Sequence, residues 1–230
     1  MKGYKPELHD SETQILDVIL SLDADVVGLQ ETSVGTKARY VHEVLDNMYR
    51  GYYCKADSGW FDQLENAVFV KDTVGKNNKA YAVKISNRNN YDPRCMIVVI
   101  TRVGGQQIGF ANLHLSYQAG NKMENLVNAI DYLLNLGIKN TVLMGDFNSQ
   151  LGSDEYNYAS AYFIDSFALF FGKPQHTRPS YPNGSRIDYI WLSKKWDFSS
   201  IPIMGCYTHY NYNSDHFPII LDVKMPKGLQ

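Results

Sequence analysis

Eight residues, Val142-Leu143-Met144-Gly145-Asp146-Phe147-Asn148-Ser149, constrain this chain more than any others. They form a short apolar run that ends on an acid, an amide and a hydroxyl within four residues. Short apolar runs bounded by polar signals read as buried strands. A strand that finishes this way delivers its polar side chains to one rim of a sheet, where open α/β folds keep their chemistry. Similar polar-tipped segments recur at Val26-Val27-Gly28-Leu29-Gln30-Glu31, Phe110-Ala111-Asn112-Leu113-His114 and Arg186-Ile187-Asp188-Tyr189-Ile190. Ser214-Asp215-His216 sits just before the last apolar run. Repeated placement of acids and imidazoles at strand ends points to a hydrolytic metal site.

At 230 residues the chain can bury a substantial core, and it has no repeat, low-complexity tract or linker, so one domain over residues 1–230 is expected. Hydrophobic residues at 44% and aromatics at 13% indicate a globular chain rather than a disordered one. The net charge is −2 and no Lys/Arg run is longer than a pair, so nothing in the composition favours non-specific binding to duplex DNA, which needs a basic face. Cys54, Cys95 and Cys206 are widely spaced and form no CxxC pair. They read as buried thiols rather than a zinc knuckle or a disulfide framework. No apolar run nears the ~20 residues that span a membrane. The start, Met1-Lys2-Gly3-Tyr4-Lys5-Pro6, lacks the apolar core of a signal peptide. As written, the chain reads as soluble and intracellular.

Periodicity predicts a first helix opened by a capping box at Ser11 and Gln14, with Ile15, Leu16, Ile19 and Leu20 on one face. Strand 26–29 and a second helix over 37–47 follow. Short strands are expected at 52–55, 67–71, 80–85, 96–103 and 107–115, the last two joined by a Gly104-Gly105 hairpin. Asn121 and Glu124 predict the cap of a helix carrying Leu126, Ile130, Leu133 and Leu134, then strand 141–145. Short helices at 153–161 and 166–171 precede a loop over 173–185 that holds three of the eight prolines. Strands 187–192, 201–205 and 217–223 close the chain. A hairpin-rich middle between helical segments favours sheet packed on sheet with helices outside, because antiparallel meanders are uncommon in all-parallel sheets.

The candidate chemistry lies at the strand ends. Glu31 reads as a ligand for a hard cation, since Mg²⁺ takes one or two carboxylates and keeps several waters. Asp146 and Asn148 are two apart, so on an extended backbone they point the same way. Asp-x-Asn also occurs in calcium loops, but the sixth-position Gly and the closing Glu are missing here. His216 follows an acid, and an imidazole held by a carboxylate suits deprotonation of water. Asp188 is a candidate orienter for it across adjacent strands. Arg94 reads as a surface charge or a phosphate clamp, and His114 as a structural or catalytic imidazole.

Leu29-Gln30-Glu31, Asn112-Leu113-His114-Leu115, Gly145-Asp146-Phe147-Asn148-Ser149, Arg186-Ile187-Asp188-Tyr189-Ile190 and Ser214-Asp215-His216 together resemble the ordered motifs of the endonuclease/exonuclease/phosphatase superfamily. That family includes pancreatic-type deoxyribonucleases, exonuclease III-like repair enzymes, bacterial sphingomyelinases, inositol polyphosphate 5-phosphatases and deadenylases. The match in order and spacing runs from about Ala24 to the C-terminus. The resemblance implies an α/β fold, a four-layer αββα sandwich of two packed mixed sheets, with the active site at the top of the sheets. It implies a Mg²⁺-dependent phosphoester hydrolase, with Mn²⁺ as a possible substitute, acting on nucleic acid, a nucleotide, a phosphoinositide or a phospholipid head group.

By motif position, Glu31 resembles the metal ligand, and Asp146 and Asn148 the pair that positions water and phosphate. Asp188 and His216 resemble the water-activating pair, and Asp215 a second metal-site or orienting acid. His114 resembles a residue that contacts phosphate or helps the leaving group, and Arg94 a phosphate-contacting arginine. One departure stands out. The family normally begins with a strand ending in Asn, and Met1–Asp10 holds neither an apolar strand nor an Asn. Either this version is N-terminally shortened, which leaves secretion open, or the protein dispenses with the strand. A missing strand would expose a sheet edge through which copies could associate, and no obligate protein partner is otherwise expected. It also motivates an alternative: a catalytically silent binding or scaffold member of the same fold.

Overall fold

A computed structural model describes residues 9–32, 43–45, 47–56, 65–86, 92–172, 186–209 and 214–226. A strand buried on both faces needs a layer on each side, and β5 (Cys95–Val103) is buried from Cys95 to Thr101. Its Met96, Val98 and Ile100 join Leu126, Ala129, Ile130 and Leu133 of the helix α2 (Ala119–Leu136). Its Cys95, Ile97 and Val99 point the other way, against Cys54, Val68 and Val70 of β2 (Tyr49–Lys55) and β3 (Glu65–Lys71). The period-2 alternation of one strand therefore builds two of the core layers at once.

Among the described residues the larger sheet has six strands in the order β4-β5-β6-β7-β9-β8, with β4 Lys76–Lys84, β6 Gln106–His114, β7 Asn140–Asp146, β8 Phe163–Asp165 and β9 Asp188–Ser193. The β6–β7 pair is parallel and joined by α2, while the other pairs are antiparallel, so the sheet is mixed. The facing layer comprises β1-β3-β2, with β1 Val26–Gln30, and the pair β10 (Ile203–Thr208) and β11 (Ile219–Val223). α1 (His9–Leu22) covers β1–β3 through Leu16 and Ile19, which meet Leu29, Tyr49, Ala67 and Phe69. With α2 and the short α3 (Asp154–Tyr162) on the far face, the fold is the expected αββα sandwich. α4 (Ser166–Phe171) follows β8 directly.

Among the described residues, β1 pairs only with β3 and β11 only with β10. Between them runs an apolar groove of about 400 Å³ lined by Leu29, Met144, Ile190, Phe217 and Leu221, with Asp188 and His216 also at its wall.

Several boundaries differ from expectation. Ser11 lies inside α1, which already includes His9. α2 starts at Ala119 with Gln118 as N-cap, so Asn121 sits in the first turn, where its amide donates to Gln118 Oε1 at 3.0 Å. The strand 163–165 was not foreseen, and the last two strands start two residues later than predicted. The predicted helix 37–47 falls largely outside the described residues, although 43–45 are helical, and the proline-rich loop falls outside them entirely.

Candidate active site

β7 ends on Asp146 and β9 begins on Asp188, and the two are direct partners in the antiparallel register. Asp188 thus starts its strand rather than ending it. Because β9 runs against β7, its first residue reaches the same rim as the last residue of β7. Gly145 allows the approach: at φ +138 its Cβ would lie 1.9 Å from the Leu113 carbonyl oxygen, so no side chain fits. The parallel β6–β7 register sets His114 level with Asp146, and His114 Nε2 lies 3.6 Å from Asp146 Oδ2.

His216 arrives from the opposite layer, in the segment before β11. Its Nδ1 contacts both Asp188 oxygens, at 2.9 and 3.1 Å, and its Nε2 faces Asp146 Oδ2 at 3.9 Å. The expected Asp188–His216 contact is therefore made between sheets, not between adjacent strands. Ligand atoms of Asp146, Asp188 and His216 all lie within 4.8 Å of one another.

Asn148 departs from the extended-backbone expectation. It adopts φ +48, and its N–H turns back to Asp146 Oδ1 at 2.7 Å. The side-chain amide then donates to the Leu115 carbonyl at 2.9 Å and reaches His114 Nε2 at 3.1 Å. With the amide as donor, Nε2 accepts and the His114 proton sits on Nδ1, which lies 3.9 Å from Glu31 Oε1. Glu31 also has a left-handed backbone, φ +56. Non-glycine residues in this region are uncommon and concentrate at functional sites.

Burial, reinforced by the Asp188 charge, pushes the Asp146 carboxyl up to about 7, against the His216 charge and the Asn148 N–H. Burial lowers the His216 pKa, but the Asp188 hydrogen bond and the charges of Asp188 and Asp146 outweigh it and leave the imidazole above its ordinary value. Burial, with the charges of Arg94 and His216, drives His114 well below the usual range, so it is neutral near pH 7 and its approaches to Glu31 and Asp146 are not ion pairs.

Arg94 is 5% exposed and binds Asp92 Oδ2 through Nη2 at 3.0 Å. Its Nε and Nη1 have no hydrogen-bond partner among the described residues. The surface-charge reading of Arg94 is therefore set aside. Asp215 is half-buried and outside the Asp146–Asp188–His216 cluster. The aromatic pair Trp60-Phe61, read as a pocket lining or packing, lies outside the described residues. Tyr207, exposed on β10, also lines the apolar groove.

Three supporting residues escaped the sequence reading. Asn112, wholly buried, donates to the carbonyls of Leu29 and Ala67 at 2.8 and 2.9 Å and accepts from Gln30 Nε2 at 2.5 Å. It ties the sheet that carries Asp146 to β1, the strand that leads into Glu31. Arg186, also buried, pairs with both Asp165 oxygens and stacks 4.5 Å from the Tyr189 ring centre, anchoring the start of β9. Lys122 Nζ reaches the Asn148 carbonyl at 2.5 Å. Asn112 and Arg186 stand inside quoted motifs, whereas Lys122 gave no local signal.

An α/β sandwich that gathers carboxylates and an imidazole at one rim defines a hydrolase-type scaffold with room for a divalent cation. The chain belongs to the Endonuclease/Exonuclease/phosphatase family, whose sequence pattern matches residues 3–216. None of the curated proteins matches the chain. Among solved structures it resembles the human Nocturnin catalytic domain, at 19% identity and TM-score 0.76, covering 94% of this chain and 86% of that one. It resembles the Bacteroides thetaiotaomicron mannosyl-6-phosphatase at 18% identity and TM-score 0.76, covering 97% of each chain. ANGEL2, a 2′,3′-cyclic phosphatase, gives 18% identity and TM-score 0.72, covering 96% of this chain and 88% of that one.

Proposed function

We propose that the protein is a Mg²⁺-dependent phosphoester hydrolase, of phosphodiesterase/nuclease or phosphatase type, in which a water molecule is the nucleophile. The convergence of Asp146, Asp188 and His216 within 4.8 Å, from three separate chain segments, carries the reading. The same convergence favours catalysis over the silent-scaffold alternative. One domain, residues 1–230, would contain the whole site.

The donor set suits a divalent cation. Asp146 and Asp188 place two carboxylates side by side, and burial with mutual repulsion raises one of them to about 7. Bound positive charge relieves that repulsion. Carboxylate oxygens are what Mg²⁺ prefers, and an added imidazole suits Mn²⁺ as well. Asp146 and Asp188, with Glu31 close by and Asp215 at the margin, would hold the ion. When bound, it would neutralise charge on the phosphate oxygens.

The side chains supply the rest. Asp188 holds the His216 Nδ1 proton, which leaves Nε2 facing the Asp146 carboxylate to accept a proton from water. Asn148, whose amide donates to His114 Nε2, keeps the proton of neutral His114 on Nδ1, from which His114 would donate where negative charge develops and assist the leaving group. Arg94, whose Nε and Nη1 have no partner among the described residues, would contribute phosphate affinity. Each such contact is worth roughly 10²–10³ in rate.

The test uses purified protein, bis(p-nitrophenyl) phosphate as diester and p-nitrophenyl phosphate as monoester. Hydrolysis with Mg²⁺, its loss in EDTA and recovery with Mn²⁺ are expected, with a sharp fall in Asp146→Ala and His216→Ala. A Mg²⁺-dependent rise in melting temperature, absent in Asp146→Ala, reports the ion apart from turnover. Wild-type rates in both variants would end the assignment.

A further inference from the structure

Cys54 and Cys95 belong to opposite sheets, yet their sulfurs lie 2.7 Å apart and each residue is 2% exposed. The strand registers show where they meet. Cys54 pairs with Asn66, and Asn66 pairs with Gln30, the residue before Glu31. On the other sheet Met96 pairs with Leu113, so Cys95 stands level with His114, and that row continues to Asp146 and Asp188. The two sulfurs therefore touch at the height where each sheet presents its candidate site residues. Asn66 holds this level from both sides, because its amide donates to the Cys95 carbonyl at 2.8 Å.

We propose that Cys54 and Cys95 form a disulfide that clamps the two sheets together at the rim of the candidate active site. A covalent S–S bond is about 2.0 Å long, so closing this pair requires less than an ångström of sulfur movement. Cys206 does not compete. It lies in β10, its sulfur is 3.3 Å from Ser166 Oγ, and burial pushes its thiol up to about 12. All three cysteines are free and buried in this structure, as the sequence reading expected, and the proposed bond adds an oxidation that no residue spacing could indicate.

The chemistry is ordinary exchange with a low-molecular-weight disulfide. One cysteine thiolate attacks a sulfur of the small disulfide, forms a mixed disulfide and releases one small thiolate. The second cysteine thiolate then attacks the protein sulfur of that mixed disulfide and expels the other. The two protein thiols lose two protons and two electrons, and the small disulfide is reduced to two thiols. Since both sulfurs are buried in the folded protein, the exchange takes place before the sheets close on each other. The bond would link residues 41 positions apart, a loop long enough to restrict the unfolded chain substantially.

The full chain, reduced and unfolded, is refolded in a buffer of oxidised and reduced glutathione, then alkylated and digested without reductant. The expected product is one linked pair of peptides containing Cys54 and Cys95, lighter by two hydrogens, with Cys206 alkylated. Recovery of all three cysteines alkylated, or of Cys206 in a link, would overturn the proposal. Urea unfolding gives the second readout. The oxidised protein is expected to favour the folded state on the order of 10²–10³-fold more than the reduced protein, a difference that vanishes in Cys54→Ser and Cys95→Ser. Equal midpoints for linked and unlinked wild type would remove the clamp. Neither readout depends on the reaction class proposed above.

Discussion

Asp146 and Asp188 sit directly opposite each other across β7 and β9, two carboxylates in one register position at the rim of a mostly buried sheet. Such an arrangement opposes folding unless a proton, an imidazolium or a cation offsets the paired charge. The site is therefore expected to be a source of activity and a cost to stability at once.

Asp146→Asn separates the two. Burial and the Asp188 charge push the folded carboxyl up to about 7 from an ordinary 3.8, so the folded state holds this proton more tightly than the unfolded chain does. Its stabilising contribution is full below about pH 4 and is lost as pH rises through about 7. Asn imitates the protonated acid at every pH. In metal-free buffer the variant should gain stability over wild type on the order of 1–4 kcal/mol, the difference opening between pH 4 and 7 and then levelling, while hydrolysis is lost. Urea unfolding at several pH values checks this, and a variant less stable than wild type at pH 8 contradicts it.

Asp188→Asn tests the imidazole. Asp188 helps hold the His216 pKa above its ordinary value, and His216 works as a base only when neutral. Removing that charge lowers the pKa, so the acid limb of the pH–rate profile should move to lower pH even as the maximum rate falls roughly 10²–10⁴-fold. An acid limb that stays in place would assign it to another group.

Asn112→Ala tests the link between sheets. Truncation strips partners from the Leu29 and Ala67 carbonyls and from Gln30 in a dry interior. The expected loss is roughly 2–4 kcal/mol, given about 1–3 kcal/mol per buried orphan group. A shift in urea midpoint measures it, and a neutral result shows that water replaces the amide.

Gly145→Ala tests the approach that brings β7 to its neighbours. The new methyl meets the Leu113 carbonyl in a backbone region that L-residues avoid, so a loss of roughly 3–5 kcal/mol is expected. Gly105→Ala is the control: it has φ +80 but open space around it, and should cost only about 1 kcal/mol. Similar melting temperatures for the two variants would mean that the β7 backbone yields.

Much of this architecture was legible in the chain. The strand expected at 141–145 forms over Asn140–Asp146, and the Gly104-Gly105 turn joins β5 to β6 as expected, because strand burial and hairpin chemistry are local. The cap of α2 was misplaced by a few residues. Asn, Ser and Glu near a helix start satisfy several registers equally, and packing of Leu126 and Ile130 decided among them. The same holds for Asn148, whose turn back onto Asp146 depends on a hydrogen bond that residue spacing does not specify.

Sequence alone determined which side chains were available and that each would end up near the end of a strand, since periodicity and polarity act over a few residues. Tertiary structure alone decided which of them meet. Asp188 reaches Asp146 because β9 runs antiparallel to β7, and His216 reaches Asp188 from the opposite layer. Cys54 finds Cys95 because the two sheets bring one level of each into contact. Strand direction and sheet pairing are set by the burial of the whole core, so no short segment carries them.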